Sequence, residues 1–220
     1  MAEWFILNHT TNHLQQFLNI LIFRFIIMID FKKIKVEISN RHIHLKPKHV
    51  DTLFGEGYEL KVHKELSQPG QFSSFEKVTL VNGLKKINNV RILGPPRNET
   101  QIEISRTDSF FLKLNPPVRL SGDLEESPGI IILGPKGKIE INKGVIIAHR
   151  HLHLSHEEAE KLKIMHGQII KIKVPGIKET IFNNVIARVQ PKYRLAFHID
   201  RDEGNACFLE PGTFAELIME

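Results

Sequence analysis

From Ile34 onward the chain alternates between aliphatic and polar positions. In Ile34-Lys35-Val36-Glu37-Ile38-Ser39 every second residue is aliphatic, as a half-buried strand requires, because successive side chains point to opposite faces. Similar β-rich runs recur at Lys77–Val81, Val90–Leu93, Gln101–Ser105, Ile130–Leu133, Lys138–Ile141, Val145–Ala148, Ile169–Val174, Thr180–Val189 and Leu195–Ile199. Turn residues separate many of them: Asn82-Gly83, Gly94-Pro95-Pro96, Gly134-Pro135-Lys136-Gly137 and Pro175-Gly176. Helix signals are few and brief. Many short strands punctuated by glycine and proline predict a mainly β fold of sandwiches or small barrels.

The pattern also repeats. Asn40-Arg41-His42-Ile43-His44-Leu45 returns as His149-Arg150-His151-Leu152-His153-Leu154, each time after an aliphatic strand and before a short helical stretch. The second helix opens with Ser155 and Glu158, the spacing of a capping box, and the first has Pro47 near its start, where a missing N–H does little harm. Two copies of a strand, a His-x-His pair and a helix predict two similar small barrels capped by short helices.

Residues 1–30 break the pattern. The run from Phe17 to Ile29 is strongly apolar but interrupted by Asn19 and Arg24, and it is short for a bilayer span. Early basic residues and a small-residue cleavage site, the marks of a signal peptide, are not seen. Three readings stand: a helical targeting tail that docks on a partner, a helix loosely held at a membrane surface, or an over-extended start with translation beginning at Met28.

Composition narrows the chemistry. The net charge of +5 suits a polyanionic small molecule as well as nucleic acid, but Lys and Arg are dispersed, and one Trp and two Tyr offer little for base stacking. Nucleic acid is therefore not an expected partner. The single cysteine, Cys207, excludes a disulfide framework and a Cys-x-x-Cys zinc site, and fits a reducing cytosolic setting.

Residues i and i+2 of a strand share a face. If the strands run on, His42 and His44 share the parity of Val36 and Ile38, and His151 and His153 that of Val145 and Ile147. Both pairs then project from the core-facing side. Inward imidazoles must be satisfied or cost roughly 1–3 kcal/mol per unpaired group. Hydrogen-bonded structural histidines explain one isolated pair well enough. Two matching pairs are better explained by divalent, zinc-type ions, for which neutral imidazole is a good ligand. Such sites need further donors. Glu103, facing away from Ile102 and Ile104, and His198, on the last clear strand, are candidates, although spacing alone does not promote them. His49, His63, His149, His156 and His166 read as solvated or locally bonded.

The blocks Ser39–Leu45, Leu66–Phe72, Leu93–Arg97, Gln101–Asp108, Ser121–Leu124, Arg150–His153 and His198–Asp200 together resemble the PduL-type phosphate propanoyltransferases, the phosphotransacylases associated with bacterial microcompartments and propanediol degradation. The resemblance runs from about residue 34 to residue 209. It implies reversible conversion of acyl-CoA (propanoyl-CoA, or acetyl-CoA) and phosphate into acyl phosphate and CoA. It also implies two zinc ions per subunit, one on His42, His44 and Glu103 and the other on His151, His153 and His198. Arg97 matches the arginine that contacts phosphate, and Ile38, Ser39, Asn40, Arg91 and Asn205 match the CoA contacts. Leu84, followed by Lys85, stands where related sequences carry a lysine, a departure from the family at one CoA phosphate contact. His149 stands where the family often has lysine, and Cys207 at a variable position outside catalysis.

By the same resemblance the fold is two β-barrels with an exchanged first strand. Residues 31–40 plus 149–220 would form one barrel and 41–148 the other, with 55–75 as an insertion. The family also implies a homodimer, cytosolic or enclosed in a microcompartment, with residues 1–30 as the segment for shell or core proteins. Phosphate would attack the thioester directly, since no Ser-His-Asp arrangement or activated cysteine is seen. Two other readings belong to different classes: a zinc-dependent hydrolase acting on a thioester or phosphoester, and an inactive shell-associated binding protein.

Overall fold

The computed structural model describes residues 33–218, so the expectations for residues 1–30 lie outside the described residues. In chain order the elements are β1 (Ile34–Ser39), β2 (His42–His44), α1 (Pro47–Phe54), β3 (Val62–Glu65), β4 (Phe72–Asn82), β5 (Lys85–Gly94), β6 (Gln101–Glu103) and α2 (Arg106–Leu112). Then come β7 (Val118–Arg119), β8 (Ile130–Leu133), β9 (Lys138–Ile141), β10 (Val145–Ala148), β11 (His151–Leu154) and α3 (His156–Leu162). The last are β12 (Ile169–Val174), β13 (Thr180–Val189), β14 (Ala196–Asp200), α4 (Arg201–Ala206) and β15 (Phe214–Ile218). Among the described residues no helix is long and apolar enough to cross a membrane.

The strands form two β-structures. One is a closed barrel in the order β1-β14-β11-β13-β12-β15, with β15 returning to pair with β1. The other is a curled open sheet in the order β7-β10-β6-β2-β5-β4-β8-β9, with β3 added beside β4. Each buries its own apolar core. Ile34, Leu152, Ile172, Val174 and Phe197 lie in the barrel, and Ile43, Leu80, Ile92, Ile102 and Ile132 in the curled sheet.

The chain crosses between the two structures directly before each His-x-His pair. It leaves β1 of the barrel after Ser39 and enters β2 of the sheet at His42, then leaves β10 of the sheet after Ala148 and enters β11 of the barrel at His151. This overturns the parity argument made from the sequence. No strand runs on, so His42 owes nothing to Val36, and His151 owes nothing to Val145. Within β2 and β11 the core-facing residues are Ile43, Leu152 and Leu154, all fully buried, and the histidines point to the opposite face.

Four strands feed straight into helices: β2 into α1, β6 into α2, β11 into α3 and β14 into α4. Capping boxes start three of the helices, built from Ser105 with Asp108, Ser155 with Glu158, and Asp200 with Glu203. Because Ser105 is a cap, the run expected to continue as strand to Ser105 ends at Glu103. The fourth, α1, begins at Pro47 without a side-chain cap, and the Lys46 N–H donates instead to Thr100 Oγ1 at 3.1 Å. The expected strands at Lys77–Val81 and Val90–Leu93 are the C-terminal halves of longer hairpin arms. Strands β3, β7 and β15 were not expected, and β3 falls inside the stretch 55–75.

Candidate active site

The two His pairs meet their third donors across strand pairs. In the sheet β2 runs antiparallel to β6, with His42 opposite Glu103; in the barrel β11 runs antiparallel to β14, with His151 opposite His198. The result is two clusters, His42-His44-Glu103 and His151-His153-His198, in each of which the possible ligand atoms lie within 4.8 Å of one another. Ring centroids are 5.0 Å apart for His42 and His44, 4.6 Å for His151 and His153, and 4.7 Å for His153 and His198. All of these residues are buried except His198, which is half-buried.

The hydrogen bonds suit metal binding. Nδ1 of His42 lies 2.8 Å from the Asn40 carbonyl, and Nδ1 of His151 lies 2.8 Å from the His149 carbonyl. A carbonyl can only accept, so both rings carry their proton on Nδ1 and leave Nε2 as a free donor of electrons. Nδ1 of His44 and both ring nitrogens of His153 are buried without a hydrogen bond. Unsatisfied nitrogens concentrated in one place are costly unless something binds them. Three imidazoles, or two imidazoles and a carboxylate, form a zinc-type donor set.

Electrostatics keep most of these groups in their ligating forms. Burial, helped by neighbouring His198, pushes His151 from 6.5 down to about 3. Burial and the adjacent histidines push His153 and His44 well down also. Burial opposes the charged form of His42 too, but Glu103, 3.5 Å away, outweighs it and raises this one ring. Burial likewise works against the Glu103 anion, yet His42 and His44 hold it far below the usual carboxylate range. Glu37 follows the same logic: burial raises it, while Lys35, Ser67 and His198 together bring it below its ordinary value.

Both clusters open into one cavity of about 760 Å³, lined from both β-structures. Arg97 lies on its wall, half-buried, with its backbone N–H held by the Leu45 carbonyl at 2.9 Å. Its guanidinium donates to Ser121 Oγ at 3.0 Å and to Gln71 Oε1 at 3.5 Å. Gln101 connects this arginine to the first cluster, since its amide donates to Glu103 Oε1 at 2.6 Å and to Ser121 Oγ at 2.8 Å. The Gly122 N–H in turn donates to Gln101 Oε1 at 2.7 Å.

The rest of the wall includes residues that strand patterns did not single out. Arg188 stands opposite His153 in the β11–β13 register, and Tyr193 lies 4.2 Å from the His153 ring. A longer repeat, Asn88-Asn89-Val90-Arg91-Ile92-Leu93 and Asn183-Asn184-Val185-Ile186-Ala187-Arg188, occupies matching strands, but Arg188 falls at the place of Leu93 and Tyr193 lies beyond it, so the repeat marks neither. Asn89 and Asn184 share left-handed φ values of 60° and 56°. The roof comes from 66–71 and 190–194, clasped by Gln68, whose amide donates to the Arg194 carbonyl at 3.0 Å and accepts from its N–H at 3.1 Å.

Of the expected CoA contacts, Ile38, Ser39, Asn40 and Arg91 line the cavity. Asn205 does not; it lies exposed on α4. Leu84 is 99 % exposed at the β4–β5 turn, away from the lining residues, and Lys85 stacks over Phe111. His149 bonds to the Arg150 carbonyl, His49 to Thr100, and His166 accepts the Val189 N–H, each apart from the clusters. Cys207 is packed in the barrel core, where burial raises its thiol.

Against known proteins, the family model described as phosphate propanoyltransferase matches residues 35–210. The chain belongs to the phosphate propanoyltransferase family. A phosphate propanoyltransferase of Thermotoga maritima is 50% identical over 184 residues, covering 83% of this chain and 88% of that protein. Proteins of the same name from Clostridioides difficile and Salmonella typhimurium are 45% and 42% identical over 84% and 85% of this chain, and over 88% and 90% of their own lengths. The family is one of acyltransferases, and the matched span contains both clusters, Arg97 and the cavity.

Proposed function

We propose that this phosphate propanoyltransferase-family chain is a zinc-dependent phosphate acyltransferase. It converts propanoyl-CoA, and acetyl-CoA as a shorter homologue, with phosphate into acyl phosphate and CoA, reversibly. The observation that carries this reading is the convergence of two donor triads and Arg97 on one cavity large enough for a thioester and an anion. His42, His44 and Glu103 would hold one zinc, and His151, His153 and His198 the other. When bound, such ions supply Lewis acidity for the reacting oxygens and a soft partner for the departing sulfur.

The chain's own residues account for the remaining requirements. Phosphate is an anion approaching a polarised carbonyl, so it must be held and its charge offset. Arg97 is pre-oriented by Ser121 and Gln71 with further N–H groups free for a fork of hydrogen bonds, and Arg188 adds a second cation to the cavity lining. A phosphate oxygen forms a bond to the carbonyl carbon, the carbon–sulfur bond breaks, and its electron pair leaves with CoA as thiolate. Guanidinium groups beside the carbonyl oxygen offset the charge that develops there. The roof of 66–71 and 190–194 limits water, which would otherwise compete as nucleophile. Ile38, Ser39, Asn40 and Arg91 lie where the CoA arm would enter, while Asn205 would touch CoA only beyond the cavity rim. A homodimer and enclosure in a microcompartment belong to the same reading, with residues 1–30 as the segment that would dock on shell or core proteins.

The test is CoA release from propanoyl-CoA by zinc-loaded protein with and without phosphate. The expected result is release that requires phosphate, yields acyl phosphate, and falls roughly 10²–10³-fold in Arg97→Ala, the usual effect of losing a donor to developing charge. Release that ignores phosphate would make the protein a hydrolase.

A further inference from the structure

Glu37 is a cavity-lining carboxylate to which the reaction described above gives no part. It lies on β1, the strand that the chain contributes to the barrel before crossing over. In the parallel β1–β14 register Glu37 stands beside His198. Its Oε2 lies at ion-pair distance, 3.4 Å, from Nε2 of His198, a buried nitrogen that makes no hydrogen bond. The carboxylate is itself anchored: Lys35 Nζ holds Oε1 at 2.6 Å, and the Ser67 hydroxyl donates to Oε2.

The relation mirrors that of the first cluster, where Glu103 stands opposite His42 across a strand pair, 3.5 Å from its Nε2. The two carboxylates differ in one respect. Glu103 belongs to the group of donors that lie within 4.8 Å of one another, and Glu37 does not belong to the corresponding group of three histidines. Glu37 therefore reaches the second cluster only through His198. A carboxylate that accepts the outward N–H of a ligating imidazole fixes the ring's tautomer and orientation and makes it a stronger donor, and its loss commonly weakens metal binding about 10–100-fold.

We infer that Glu37 is the positioning residue of the second cluster, orienting His198 and setting how tightly that cluster, but not the first, retains its metal. This rests on the reading of both triads as zinc sites. The rival role is a roof pin, in which Glu37 serves only to hold Ser67 and the 66–71 segment. Glu37→Gln keeps the size of the side chain and its capacity to accept from Ser67, but removes the charge.

The experiment measures zinc content and release to a coloured chelator for full-length wild type, Glu37→Gln, Ser67→Ala, His198→Ala and the Glu37→Gln/His198→Ala pair. The retained first-cluster ion reports that each variant is folded. The expected result is two ions in wild type, one of which Glu37→Gln holds about 10–100-fold more weakly. Ser67→Ala should behave as wild type, and Glu37→Gln should add nothing once His198 is alanine. Unchanged release in Glu37→Gln, or an equal loss in Ser67→Ala, overturns the inference while leaving the zinc reading intact. Wild-type protein that takes up no zinc overturns both.

Discussion

His42 and His44, and likewise His151 and His153, stand two residues apart, which on a strand is one face, so these pairs were legible without a structure. Glu103 and His198 come from strands distant in sequence, and spacing alone could only nominate them; it was the family resemblance that joined them to the pairs. Gln101 was invisible because its role is to hold Glu103 and, through Ser121, Arg97. Replacing Gln101 with Ala should weaken zinc at the first cluster about 10–100-fold while the second keeps its ion, as a chelator titration would show. The same residues predict an acid sensitivity. His151, at about 3 in the folded protein against 6.5, binds its proton more readily when unfolded, and His153 and His44 are shifted in the same direction. The unfolded chain thus takes up more protons across that window, so metal-free protein should lose stability as pH falls from about 6.5 toward 3, seen as a falling Tm. His42, shifted upward, opposes this in part.

At the scale of elements, the period-two runs predicted most strands, because a half-buried strand writes its pleat into the sequence. What they could not show is that the chain changes sheets at Asn40-Arg41 and at His149-Arg150, since both crossings occur without a glycine or proline to mark them. The arginine repeated in both copies has a structural explanation. Arg41 pairs with Asp108 at 2.7 Å, and Arg150 with Glu203 at 2.9 Å, each acid being the one that completes a capping box at the start of α2 or α4. One carboxylate thus ties a crossing to a helix. Asp108→Ala should cost roughly 1–2 kcal/mol, since it removes a capping partner and a charge pair together. In a double-mutant cycle with Arg41→Ala, denaturant unfolding should reveal a coupling of about 0.5 kcal/mol or more. The late strand β15 was missed because Phe214-Ala215-Glu216-Leu217-Ile218 carries apolar residues on both faces; only its burial alternates, and nothing local shows that it closes the barrel against β1.

At the scale of the molecule, two β-structures with separate cores enclose one polar cavity, and the exchanged strand β1 together with the Gln68 clasp binds them to each other. Leu80→Ala, in the core of the curled sheet, should therefore cost about 2–5 kcal/mol without touching the cavity wall. The resemblance of ordered sequence blocks pointed to the family before any coordinate did. The shape of the cavity, its second arginine and its roof needed the fold, because they join residues from both halves. The central claim is that phosphate held in this cavity attacks the thioester directly. The most direct test mixes zinc-loaded protein in excess over propanoyl-CoA and follows CoA on the time scale of one turnover. No CoA burst is expected without phosphate, and one equivalent each of CoA and acyl phosphate once phosphate is added. A stoichiometric burst of CoA in the absence of phosphate, whether from an acyl-enzyme or from hydrolysis, would contradict it.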